Sequence, residues 1–218
     1  MRFKIFTVLL LLVVLVSCTG SRITYTWKSE KVSAVNYDRI MVLGLIREAD
    51  IRIREKMEDH MVGDLKDLGY NAVSSLREYG PKAFDKMDEA EALEKIRNGG
   101  VSAVITIVLL DKTRERYYVP GHISYSPYGI YHDRFWGYYN TMYGRIYSTG
   151  YYEFSTKYFL ESNLFDMTTK ELVYSAQTES FDPASTEMLG HEYGQMIVKD
   201  MVKKKVLPKK ESLAKVGG

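Results

Sequence analysis

The 218-residue chain is 45% hydrophobic and 27% charged, the balance of a folded polypeptide rather than a disordered one. Its 30 Lys and Arg exceed its 28 Asp and Glu only through Arg2 and Lys4, which sit in an apolar leader. Without that leader the charges balance, which excludes a basic nucleic-acid-binding surface as the organising feature. One cysteine, Cys18, excludes a disulfide framework and a cysteine metal site.

The leader itself reads as a secretory signal, residues 1–17. Arg2 and Lys4 form a short basic head, Val8–Val16 is unbroken apolar sequence, and the composition turns polar after Cys18. The apolar stretch is too short for a spanning helix. Leu15-Val16-Ser17-Cys18 resembles the lipobox of bacterial lipoproteins, in which the leader is cut before the cysteine and the thiol is acylated. That resemblance implies a covalent diacylglycerol or acyl lipid on Cys18 as the only attached group. Thr19 stands where an inner-membrane retention signal would place Asp, so the expected location is the outer membrane, with the domain facing the periplasm.

Residues 18–36 are expected to form a polar tether with a short strand at Ile23–Trp27, followed by one α/β domain over residues 37–207. Arg39–Ile46 is a nearly continuous apolar run, as in a strand covered on both faces. A helix is expected over Ile51–Leu68, with Ile53, Met57, Met61, Leu65 and Leu68 on one stripe. Arg54, Glu55, Glu58, Asp59 and Lys66 fall on the opposite face, and the three acids read as a solvated surface. Gly69 suits a left-handed cap. Tyr70–Leu76 reads as a second strand. Pro81–Asn98 reads as a second helix, with Phe84, Met87, Ala90, Leu93 and Ile96 inward and Gly99-Gly100 as its terminator. Val101–Leu110, β-branched and apolar, is the strongest strand. This alternation is the pattern of a parallel α/β unit.

The character changes at Tyr117–Tyr152, an insertion holding eleven of the 18 tyrosines, with glycines at 121, 129, 137, 144 and 150. Tyr125, Tyr128, Tyr131, Phe135, Trp136, Tyr138, Tyr139 and Tyr143 form the candidate binding surface, because such rings concentrate at contact sites and stack on sugars. The competing reading is a low-complexity loop packed partly back on the sheet. Alternation then resumes: Phe154, Thr156, Tyr158, Leu160, Ser162 and Leu164 face one way, a polar turn spans Asp166–Glu171, and Leu172–Phe181 returns as the second arm of an antiparallel hairpin. A last helix is expected over Pro183–Lys205, started by Asp182-Pro183, with Leu189, Tyr193, Met196, Ile197 and Met201 inward. Residues 208–218 are expected to be a flexible tail.

Readable chemistry is sparse. The turn Ile46–Asp50 has no glycine and two acids, which argues against a phosphate cradle. His60, His122, His132 and His191 show no helical ligand spacing, so no metal is expected. No nucleophile elbow is present, and no catalytic residue is assigned.

Arg39–Ile46, the helix end Leu68-Gly69-Tyr70, the strand entered at Gly100–Ile105 and the hairpin Glu161–Tyr174 together resemble a group of bacterial envelope lipoproteins. The group comprises relatives of the curli-secretion lipoprotein, outer-membrane activators of penicillin-binding proteins, and the amino-terminal α/β domain of the Tol–Pal translocation protein. The hairpin is similar to that of uncharacterised lipoproteins of like layout. The resemblance implies a mixed sheet, no enzymatic activity and no catalytic residue. The expectation is a non-catalytic lipid-anchored binding or scaffold protein, attached to the membrane and contacting a protein or cell-wall partner, with no nucleic acid. The alternatives are an oligomeric secretion or assembly component, with the insertion as subunit contact, and a cell-wall-acting enzyme.

Overall fold

The computed structural model describes residues 20–31, 35–82, 84–119 and 151–208. The leader, Cys18, the insertion core over 120–150 and residues 209–218 lie outside them. The fold is mixed α/β, as expected. Its elements are β1 (Ser21–Lys28), β2 (Arg39–Leu45), α1 (Ile51–Asp67), β3 (Asn71–Ser74), α2 (Ser75–Tyr79), α3 (Glu89–Asn98), β4 (Ala103–Val119), β5 (Tyr151–Asp166), β6 (Leu172–Phe181) and α4 (Thr186–Lys203). They build one six-stranded sheet in the order β1-β6-β5-β4-β2-β3. β2 runs parallel to β3 and β4, whereas β6 is antiparallel to β5 and β1. The chain divides into two compact units, one of residues up to Lys112 together with those from Lys157 onward, and one of Thr113–Thr156.

In the first unit the parallel strands are covered on both faces, which is why β2 reads as a continuous apolar run. Ile40 and Val42 of β2 and Ala103, Ile105 and Ile107 of β4 enter the main core with α1 and α4. Met41 and Val104 point the other way and meet Ile96 of α3 in a smaller core. From the antiparallel half, Tyr158, Leu160 and Leu164 of β5 and Val173, Tyr174 and Ala176 of β6 join the main core. The expected alternation of β5 therefore holds from Tyr158 to Leu164.

α1 ends as its sequence dictates: Gly69 takes φ +88° and donates its N–H to the Lys66 carbonyl at 2.8 Å. Its buried stripe is wider than the apolar spacing indicates, because Arg54, Glu58 and Val62 are buried with Ile53, Met57, Met61 and Leu65. α4 buries Leu189, Tyr193, Ile197 and Met201, with Met196 partly buried against the same core. It crosses α1 closely where Gly190 and Gly194 lie. A Cβ at Gly190 would stand 2.8 Å from the Lys56 carbonyl oxygen, and one at Gly194 would stand 2.5 Å from Asp64 Oδ2. These glycines are what allow the two helices to approach.

Several expectations need correction. Less of 18–36 is tether, and the short strand expected at Ile23–Trp27 is longer, because Ser21–Lys28 pairs with β6 from Ser21↔Ser180 to Lys28↔Tyr174. Its inner side chains are mainly polar and bond to helix α4 and its C-terminal cap: Ser21 Oγ to Glu192 Oε2, Thr26 Oγ1 to Asp200 Oδ2, and Lys28 Nζ to the Lys204 carbonyl. An apolar-alternation signal is therefore weak there. Pro81 does not open a helix; Asp88 caps α3, accepting from the Glu91 N–H while the Glu91 side chain accepts from the Asp88 N–H. Phe84 instead packs at a tilt against Tyr79, with ring centroids 5.9 Å apart. The strand expected to Leu76 stops at Ser74, whose hydroxyl accepts from the Arg77 N–H and starts α2. Ser185, not Asp182, caps α4 through the Met188 N–H. Pro208, assigned to the tail, is held by the Tyr70 hydroxyl, which donates to its carbonyl at 2.6 Å.

Candidate binding surface

The second unit begins with the outer part of β4 and ends with the outer part of β5. Alternation along a strand places Arg114, Arg116 and Tyr118 on one face of β4, and Tyr152 and Phe154 on one face of β5. These two sets meet. The Arg114 guanidinium lies 4.1 Å from the Phe154 ring centroid and that of Arg116 lies 3.6 Å from Tyr152. The Tyr118 ring tilts against Tyr152 at 5.3 Å. Glu115, Tyr117, Tyr151 and Glu153 take the alternate positions on the same strands.

Tyr118, Tyr152 and Phe154 remain about half exposed, at 53%, 54% and 46%. Each cation–ring contact contributes about 0.5–1 kcal/mol at such exposure. The rings and guanidinium groups already lie against one another on this face. Chemically the arrangement offers flat apolar faces edged by N–H donors. Its arginines stay protonated and act as donors only, and its tyrosines add a hydroxyl at the ring edge.

The residues singled out from sequence, Tyr125, Tyr128, Tyr131, Phe135, Trp136, Tyr138, Tyr139 and Tyr143, lie outside the described residues, as do Cys18, His122 and His132. What sequence reading misses is the ordered flank of the same segment. The alternations Arg114-x-Arg116-x-Tyr118 and Tyr152-x-Phe154 carry its signal.

Two polar clusters in the first unit offer other candidate sites. Glu58, expected on a solvated face, is fully buried. Its Oε1 accepts from the Gly44 N–H at 2.8 Å, Arg54 Nε at 2.9 Å and the Ser75 hydroxyl at 3.1 Å; its Oε2 accepts from the Leu76 N–H at 2.8 Å and the Ser74 hydroxyl. Arg54 also donates to the Pro81 carbonyl at 3.0 Å. A carboxylate saturated by five donors is a fastener that joins β2, α1, β3 and α2, not a base waiting for a substrate. Gly44 makes room for it, since a Cβ there would meet Arg54 Cγ at 2.6 Å.

The second cluster bridges α1 and α4. His60 Nε2 lies 2.7 Å from Glu187 Oε1, and Lys56 Nζ lies 2.8 Å from Glu187 Oε2. The His191 ring meets the His60 ring edge-on at 5.5 Å. Among the described residues no group of three or more His, Cys, Asp or Glu is placed to hold a metal ion. Asp64 beside it keeps Oδ2 buried without a hydrogen bond, and burial raises its carboxyl pKa while His191 and His60 pull it down.

No family model matches the chain, and no curated protein matches it. Solved structures share parts of its layout. A PelC dodecamer from Paraburkholderia phytofirmans overlaps it at a TM-score of 0.42 and 12% identity, covering 85% of this chain and 98% of that one. Lipoprotein GNA1162 from Neisseria meningitidis gives 0.41 and 13%, covering 76% and 98%. A neuraminyllactose-binding hemagglutinin homolog from Helicobacter pylori gives 0.32 and 10%, covering 77% and 82%. At these scores the likenesses assign neither partner nor activity to the chain.

Proposed function

We propose that this chain is a non-catalytic, lipid-anchored binding or scaffold protein of the bacterial envelope. Acylated Cys18 holds it in the outer membrane, its domain faces the periplasm, and the aromatic segment is the surface that contacts another envelope component. The observation that carries the binding half is the half-exposed face of Arg114, Arg116, Tyr118, Tyr152 and Phe154. Rings left at the surface and pre-stacked with guanidinium groups are the composition of contact sites. The anchoring half is supported by the basic head, the apolar run and the Leu15–Cys18 motif. Among the described residues no helix is long and apolar enough to cross a membrane. The resemblance of the β2, α1 and β4 stretches to envelope lipoproteins related to the curli-secretion lipoprotein supports the same compartment.

Membrane fractionation tests the anchor. Wild type is expected in the membrane fraction and Cys18→Ala in the soluble one; equal partitioning of both would overturn it. Cross-linking in intact cells tests the surface. The wild type is expected to give a discrete adduct that is lost on deletion of residues 117–152, and an adduct that survives the deletion would contradict the assignment.

A further inference from the structure

Resting on the acylation of Cys18 proposed above, we infer that the end of the sheet carrying Gly20, Arg22 and Phe181 lies in the phosphate layer of the bilayer. A two-residue tether keeps this end of the sheet within about 7 Å of the acylated cysteine. The chain is already fixed at Gly20, whose carbonyl accepts from the Phe181 N–H at 2.8 Å. At the next residue, Ser21 Oγ lies 2.8 Å from Ser180 Oγ and donates to Glu192 Oε2 at 2.8 Å. Only Thr19 separates Gly20 from Cys18. Two fully extended residue steps reach about 7 Å. The headgroup layer of one leaflet is itself about 5–7 Å deep, from the difference between the full and the hydrocarbon thickness. With an acylated Cys18 at the base of that layer, the folded chain two residues later begins within it or at its outer edge.

The residues at this end suit such a surface. Phe181 is 37% exposed, with the Arg22 guanidinium 5.5 Å and the Lys157 ammonium 5.7 Å from its ring centroid. Lys157 stands directly opposite Phe181 in the β5–β6 ladder. A ring flanked by long cationic side chains matches the interfacial zone, where rings sit at headgroup depth and cations reach phosphate. Carboxylates are present as well: Arg22 donates through Nε and Nη2 to Glu179 Oε2 at 3.0 and 2.7 Å, and Asp182 follows Phe181. With Glu192 beside Ser21 as well, two cations stand against three acids, so charge does not drive adsorption. The anchor supplies the attraction, and Arg22, Lys157 and Phe181 supply the fit to a phospholipid surface.

The full-length chain, lipidated in cells and reconstituted into phospholipid vesicles, provides the test, because acylation leaves any introduced cysteine as the sole free thiol. A fluorophore is placed on Phe181→Cys, on Arg22→Cys as a second probe of the same end, and on Glu30→Cys beyond the far end of β1. Lipids spin-labelled at the headgroup are expected to quench the first two several-fold more than the third. Equal quenching at all three, in protein that still floats with the vesicles, would overturn the inference while leaving the anchor intact. Protein that does not float and carries an unmodified Cys18 by mass would overturn both.

Discussion

At the residue scale, the informative side chain is Glu58, whose five donors come from four separate segments. Removing one partner of a buried pair leaves the other charge uncompensated, at a cost of about 3–5 kcal/mol. Glu58→Ala should therefore lower the urea-unfolding free energy by that amount, since it also strips acceptors from the Gly44 and Leu76 N–H groups. A loss within the range of an ordinary surface substitution would refute the fastener role. Asp64 presents the opposite case. Burial raises its folded-state carboxyl pKa above the ordinary 3.8, so the folded chain holds that proton more tightly than the unfolded one. Ionisation of Asp64 therefore costs no stability below the unfolded pKa, and the penalty develops as pH rises through the folded pKa. Asp64→Asn should be more favourable at neutral pH than in acid, because it removes the cost of ionising a partly buried carboxyl. Thermal melts across that range check the sign.

At the element scale, the α1–α4 crossing is set by two glycines rather than by the apolar stripes. A methyl at Gly190 would meet backbone at Lys56, which cannot yield as a side-chain end does. Gly190→Ala should destabilise by about 1–3 kcal/mol. Gly63 is the control, because it is exposed on α1 and a methyl there would meet nothing within 4 Å. Gly63→Ala should stabilise by about 0.5–1 kcal/mol through helix propensity alone. Denaturant midpoints of the two variants should move in opposite directions. The same contrast marks how far sequence reading reaches. β2, α1, β4, the β5–β6 hairpin and α4 are legible because their burial is apolar and periodic. β1 is legible only as its middle, Ile23–Trp27, because Ser21, Thr26 and Lys28 are polar and are held by hydrogen bonds to α4 and its cap. Glu58 reads as solvated because spacing identifies a helix face but not the backbone N–H groups waiting beneath it. The candidate surface is legible as a segment, yet its ordered rungs are hidden among strand residues.

At the scale of the whole molecule, the proposed function puts anchorage on Cys18 and contact on the exposed rings of the second unit, with the mixed sheet of the first unit as scaffold. On that proposal anchorage and contact fall to different parts of the chain, and the α1–α4 layer serves neither. Disrupting one function should leave the other: Cys18→Ala should release the protein from membranes without unfolding it, and truncating the rings should leave it membrane-bound. The most direct measurement of the central claim is site-specific photo-cross-linking in intact cells, with a photo-reactive phenylalanine analogue at Phe154 and, for comparison, at Gly63. The account predicts one discrete adduct from position 154 in the membrane fraction and none from position 63. No adduct from position 154, or the same adduct from both positions, would contradict it.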